Sequence, residues 1–157
     1  MAQIITSRGA VILIDDADLP MVSKHAWCVD SHGYPITNIV DGVVRRKIYM
    51  HRFLMNLRRG DLAIVDHANM DRLDNRRANL RICSKAENMR NRGKTRANKS
   101  GYKGVSWDKE KCRWVAGIKI DGRRKVLGRF DDPAEAHKAY CAAAKIAHGI
   151  FARTEVA

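Results

Sequence analysis

The sequence predicts an α+β protein built as two small units on either side of a basic linker. Three observations predict it. Residues 64–92 read as strand, loop, strand and helix. Residues 104–148 read as three short strands and a helix. Between them, Arg90 to Ser100 has no apolar periodicity and few residues able to pack. The chain has 157 residues, 45% of them hydrophobic, enough for one ordinary core or two small ones and too apolar for wholesale disorder.

The first 55 residues read as short strands and turns. Val11–Ile14 is a strand, and Pro20 opens a short helix within Leu19–His25. Trp27–Val29 and Tyr34–Val40 are strands, and Asp41-Gly42 turns the chain into a strand over Val43–Met50. Ala63–Val65 then delivers Asp66 and His67 to a polar loop, 68–78, rich in Asn, Asp and Arg. Leu80–Cys83 is a second strand. Ser84 and Glu87 match a capping box, which predicts a helix over Lys85–Asn91.

Beyond the linker, Gly104–Trp107, Arg113–Ile120 and Arg124–Arg129 alternate as strands. The last two reverse at Asp121-Gly122, a strong hairpin signal. Alternation puts Trp114, Ala116, Ile118 and Ile120 on one face of the middle strand, and Arg113, Gly117 and Lys119 on the other. Trp107 and Trp114 read as core residues. Asp132 as N-cap, Pro133 and Glu135 predict a helix running to His148 and stopped by Gly149. Its stripe of Ala136, Ala139, Tyr140, Ala143 and Ala147 suits close packing on a sheet.

Charge is the strongest global signal. Thirty Lys and Arg against 17 Asp and Glu leave +13, and +9 of it falls within residues 93–130. A concentrated basic segment favours a polyanion, because each neutralised phosphate releases counterions. The absence of a secretory pattern or membrane-length apolar run leads us to expect a soluble, cytoplasmic chain, in the host cell if it is phage-encoded. Cys28, Cys83, Cys112 and Cys141 lack zinc-site spacing and read as reduced packing residues.

Cutting a phosphodiester requires an activated water, a Lewis acid on the phosphoryl group and stabilisation of the leaving oxygen. An imidazole suits the first task and hard oxygen ligands the others. Residues 64–92 supply Asp66, His67, Asn79 and Asn88 together. The run VDHANMDRLDNRRANLRICSKAENMRN (65–91) resembles the core of phage-type HNH endonucleases, the ββα-metal fold, and YMHRFLM (49–55) resembles their lead-in. His67 matches the first motif position, Asn79 the second and Asn88 the third, where asparagine replaces the histidine common in the wider family.

The resemblance implies a DNA nuclease, of homing type, that needs one divalent metal, Mg2+ or Mn2+. His67 would be the general base, with Asp66 and Asn88 as metal ligands. Asn79 would tie the loop, and the products would be a 3′-hydroxyl and a 5′-phosphate. His51 is a further candidate: it lines the site, contacts phosphate or packs beside Tyr49.

Residues 100–149 resemble the plant ethylene-response-factor (APETALA-type) DNA-binding domain, a three-stranded antiparallel sheet packed on one helix. Lys103, Lys119 and Arg124 fall where that family uses arginines, whereas Ser106, Gly117 and Val126 depart from its pattern, so sequence specificity does not transfer.

The sequence thus predicts a nuclease unit over 1–92, a linker over 93–100 and a DNA-binding unit over 101–152. Double-stranded DNA is the expected partner, with contacts from Arg90, Arg92, Lys94, Arg96, Lys99, Lys103, Arg113, Lys119, Arg123 and Arg124. The rival reading is a non-catalytic DNA-binding regulator that keeps a nuclease-like fold; the intact motif residues speak against it.

Overall fold

The computed structural model describes residues 1–41, 43–58, 60–95 and 97–154. Gly42 of the expected turn and Arg96 of the expected DNA contacts lie outside the described residues. The chain forms two compact units, Met1–Ser84 and Lys85–Ala157. This division falls before the helix that the sequence reading assigns to the first unit.

The first unit opens with a hairpin of β1 (Ala2–Ile5) and β2 (Val11–Ile14), paired from Ala2↔Ile14 to Ile5↔Val11. The sequence reading lacked β1, a four-residue run whose identity comes from its partner. A 3-10 turn, Asp16–Asp18, leads into α1 (Leu19–Val22). This helix stops short of the expected His25 because the Trp27 indole N–H takes the Val22 carbonyl at 2.8 Å. Next come β3 (Cys28–Val29), β4 (Pro35–Asp41) and β5 (Val44–Tyr49), one antiparallel sheet in the order β3-β4-β5.

The expected strand to Met50 ends one residue early and turns into α2 (Met50–Leu54). Met50 and Leu54, one helical turn apart, are both fully buried, and that burial fixes the helix. The ribbon of β6 (Ile64–His67) and β7 (Leu80–Cys83) completes the unit. Ile12, Ile14, Val22, Trp27, Met50, Leu54 and Leu80 form its core.

The second unit begins with α3 (Lys85–Asn91), which lies against a 3-10 turn at Gly149–Phe151. The strands β8 (Val105–Asp108), β9 (Arg113–Ile120) and β10 (Arg123–Phe130) form an antiparallel sheet with β9 in the middle. Asp121 and Gly122 both take positive φ, 47° and 80°, as a tight two-residue hairpin requires. The helix α4 (Pro133–His148) packs across the sheet. Asp132 caps it by accepting the Ala134 N–H at 3.0 Å.

Gly104, at φ 77°, lies under the Tyr140 ring, where an added Cβ would sit 2.1 Å from Cδ2, so no larger residue fits. Trp114 joins the core with Val105, Ala116 and Ala136. Trp107 corrects the sequence reading: it is 47% exposed on the edge strand β8, with its ring edge-on to Trp114 at 4.9 Å. The linker end is fastened to this unit, since Asn98 Nδ2 donates to the Tyr102 carbonyl at 2.8 Å. Among the described residues, no helix is long and apolar enough to cross a membrane.

Candidate active site

His67 ends β6 and is buried at 5% exposure. Its Nε2 lies 3.4 Å from Asn75 Oδ1. The Asn75 amide is itself oriented, because its Nδ2 donates to the Arg72 carbonyl at 2.9 Å. An amide oxygen only accepts, so this contact calls for a proton on Nε2 and makes Nδ1 the basic nitrogen. The Asn75 N–H donates to the Leu13 carbonyl at 2.8 Å, and the Leu13 N–H donates to the Leu73 carbonyl at 2.9 Å. The N-terminal hairpin therefore buttresses the loop that holds the imidazole.

Asn79 spans the same loop from the other side. Its Oδ1 accepts the Asn69 N–H at 2.9 Å, and its Nδ2 donates to the Asp74 carbonyl at 2.7 Å. Asp74, 2% exposed, accepts two bonds from the Arg76 guanidinium, at 2.7 and 2.6 Å, and one from Asn69 at 2.8 Å. The Arg76 guanidinium holds the Asp74 carboxyl below the usual carboxylate range. Polar groups buried this deeply persist only when hydrogen-bonded, and here the bonds shape a loop that lacks apolar periodicity.

Asp66 precedes His67 and is also buried, at 7% exposure. It lies opposite Arg81 across the ribbon and His67 lies opposite Leu80, so carboxylate and imidazole leave the ribbon on alternate sides. The Arg81 guanidinium donates from Nε and Nη2 to Asp66 Oδ2 at 2.9 and 2.7 Å.

His51, 8% exposed on α2, stands edge-on to His67 with ring centroids 5.3 Å apart. Tyr34 and Tyr49 pack on it at 5.4 and 5.5 Å, so it packs beside Tyr49 and also lines the His67 ring. Its Nδ1 is buried without a hydrogen-bond partner. Burial, reinforced by the Arg52 charge and by that of His67 whenever its ring is protonated, pushes its pKa down to about 4. Burial also pushes His67 below the ordinary imidazole value of 6.5. The Asn75 bond and the carboxylates of Asp66, Asp71 and Asp74 oppose that shift. Both rings are neutral at pH 7, the form a base needs.

Asn88 lies on α3, in the second unit. Among the described residues no group of three or more His, Cys, Asp or Glu side chains is arranged to hold a metal.

Of the expected DNA contacts, Arg92, Lys94, Lys99, Arg113, Lys119, Arg123 and Arg124 are exposed. Register sets Lys119 opposite Arg124, on the sheet face away from α4, whereas Arg123 is opposite Ile120, a core residue of the helix-packed face. Arg113 pairs with Asp131 at 3.2 Å. Arg90 and Lys103 are half-buried, and the Lys103 ammonium donates to the Arg90 carbonyl. Burial, with Arg153 nearby, pushes Lys103 down to about 8.

Asn75, Arg81 and Tyr34 escaped the sequence reading. Asn75 sits in a loop of similar polar residues, and only its contact with His67 distinguishes it. Arg81 had one local sign, its position on the strand that pairs with the one carrying Asp66.

Residues 49–90 match the protein family described as HNH endonuclease. An uncharacterized HNH endonuclease of Acanthamoeba polyphaga mimivirus is 29% identical over 112 residues, covering 69% of this chain and 57% of that protein. The chain thus spans little more than half the length of that relative. Protein 3.8 of Escherichia phage T7 is 32% identical over 89 residues, which is 57% of this chain and 73% of that protein. No solved structure matches the chain. His51, Asp66, His67, Asn79 and Asn88 all fall within the matched span. Residues 49–90 of the chain thus form an HNH endonuclease domain, the type of nuclease that the mimivirus relative is named for.

Proposed function

We propose that the chain is a divalent-metal-dependent DNA endonuclease in which His67 takes the proton from the attacking water. The observation that carries this reading is the buried, neutral imidazole whose Nε2 faces the oriented Asn75 amide, within the span matched by the family. Nδ1 of His67 accepts the proton, and Asn75 Oδ1 steadies the imidazolium that forms. His51 and Tyr34 wall the ring from solvent.

The donor chemistry fits a hard ion of the Mg2+ or Mn2+ type. Such ions are held by one or two protein oxygens and complete their shell with water and phosphate. Asp66, on the first unit, supplies a carboxylate, shared with Arg81. When bound, the ion supplies Lewis-acid polarisation of the phosphoryl group and stabilises the leaving oxygen, giving a 3′-hydroxyl and a 5′-phosphate. The second unit, with its basic sheet face and its resemblance to the ethylene-response-factor domain, anchors double-stranded DNA. The viral relatives fit a phage-type or homing enzyme acting in a host cytoplasm.

The test is incubation of the chain with plasmid DNA and Mg2+ or Mn2+, with an EDTA control. Cleavage that needs metal and His67 supports the reading. Binding without cleavage under every metal condition would replace it with the DNA-binding regulator.

A further inference from the structure

The strongest charge feature outside residues 93–130 lies on the first unit. Between Asp41 and Asp61 the sequence has six basic residues and no acidic one. In the fold Arg46, Lys47, Arg52 and Arg58 come to line one groove. Beyond Ile36, β4 has only β5 as a described partner, so the pair continues as a two-stranded ribbon. Arg45 pairs with Val40, Arg46 with Ile39 and Lys47 with Asn38, which puts cations on both faces of the ribbon.

At its base, a groove of about 900 Å³ runs between β5 and α2. Arg46, Lys47, Arg52 and Arg58 line it, with no carboxylate among the described lining residues. Arg52 is spent on structure, donating to the carbonyls of Ala63, Arg58 and Asp61, and Lys47 pairs with Asp30 at 3.1 Å. Arg45, Arg46, Lys47 and Arg58 are exposed. The groove also includes Tyr49, which packs on His51 and so continues toward His67. Near the ribbon tip, Val40, Val43 and Val44 are 62%, 103% and 45% exposed.

We propose that the β4–β5 ribbon and the groove at its base form a second DNA-contact surface, carried by the nuclease unit itself. The inference rests on the nuclease reading above. A basic two-stranded ribbon is narrow enough to enter a duplex groove, and its cations meet the phosphates on either rim. Exposed valines on such a stem match the apolar sugar and base edges beneath the phosphates. A protein partner would explain the valines but not the concentration of cations on both faces of the ribbon. This surface holds the duplex beside His67.

The test uses the full chain and a short duplex in EDTA, so that binding is read without cleavage. In one variant Arg45, Arg46 and Arg58 are replaced together by Gln. In a charge-matched control, Arg8, Lys24 and Lys145 are replaced instead. Three lost phosphate contacts should flatten the slope of log K against log salt by about three, with the control changing it by less than one. Arg45→Gln alone should flatten it by about one, which guards against misfolding of the triple variant.

Equal slopes for the triple variant and the control overturn the proposal. So does a change of oligomeric state in ultracentrifugation with DNA binding intact. Metal-dependent cleavage by the wild-type chain is measured alongside. A flattened slope without any cleavage would sink the nuclease reading and keep the surface. Cleavage with unchanged slopes would sink the surface alone.

Discussion

The first unit is ordered by buried side-chain hydrogen bonds, and the second by backbone ladders with an apolar interior. Among the described residues, nine buried polar side chains lie in the first unit, including Asp66, His67, Asp74, Asn75 and Asn79. Only Asn91 and His137 lie in the second. The interior of the second is Val105, Val115, Ala116, Ile118, Ala136, Tyr140 and Ala144, and its cations stand on the surface. Burying polar groups costs stability unless every partner is present, so a small fold concentrates them where chemistry needs oriented groups. On the proposed function, the first unit keeps its oriented polar groups, around His67, beside an apolar core, while the second sets exposed cations around an apolar interior.

The sharpest way to break that comparison is at His67. His67→Ala should lower the cleavage rate by about 10²–10⁴-fold while leaving duplex affinity in EDTA unchanged. A plasmid-cleavage time course beside a binding titration reads both. Wild-type cleavage by the variant would remove His67 from the mechanism. The base must be neutral, so the wild-type rate should fall with acidity only below pH 6.5, because burial holds His67 below that value.

The second unit breaks through packing rather than polarity. Gly104→Ala forces a side chain into the Tyr140 ring at a positive φ and should cost about 2–4 kcal/mol. Hydrogen exchange should show lost protection in β8, β9 and α4, with metal-dependent cleavage at low salt retained. Unchanged protection would mean that the ring and the glycine do not meet as described.

His51 sharpens the contrast through pH. It is held at about 4 in the fold and returns toward 6.5 on unfolding, so the unfolded chain takes up a proton first as pH falls. The stability tied to the neutral ring is whole above pH 6.5. Up to about 3 kcal/mol of it is lost as pH drops to 4. His51→Phe keeps a ring and removes the titration. Melting temperatures over that window should fall less steeply than in the wild type, and parallel curves would contradict the buried imidazole.

A smaller effect is expected at the loop clamp. Asn79→Ala leaves the Asn69 N–H and the Asp74 carbonyl without their partner and should cost about 1–3 kcal/mol. The loss should appear as a lower melting temperature without metal or DNA. An unchanged value would mean that the loop holds its shape without the amide.

By itself the sequence determined the elements whose causes lie within a few residues. The Ser84/Glu87 box predicts a helix over Lys85–Asn91, as found. Leu80–Cys83 and Arg113–Ile120 are strands at their expected bounds. Asp121-Gly122 makes the hairpin, and Asp132 with Pro133 starts the last helix. His67, Asp66 and Asn79 were legible because their types and spacings survive as a motif.

Tertiary structure decided what depends on distant partners. It made a strand of Ala2–Ile5 by giving it β2, and a helix of Met50–Leu54 by burying two of its residues. It left Trp107 half exposed, since an edge strand has no neighbour to cover it, and it turned Lys103 toward the Arg90 carbonyl. Asn75 gained its place beside His67 only because Leu13, far away in sequence, accepts its N–H. Arg77 and Asp18, 59 positions apart, close the same unit at 2.7 Å. Propensity and capping act over one turn of chain, whereas burial of a polar group is settled by whichever element arrives to satisfy it.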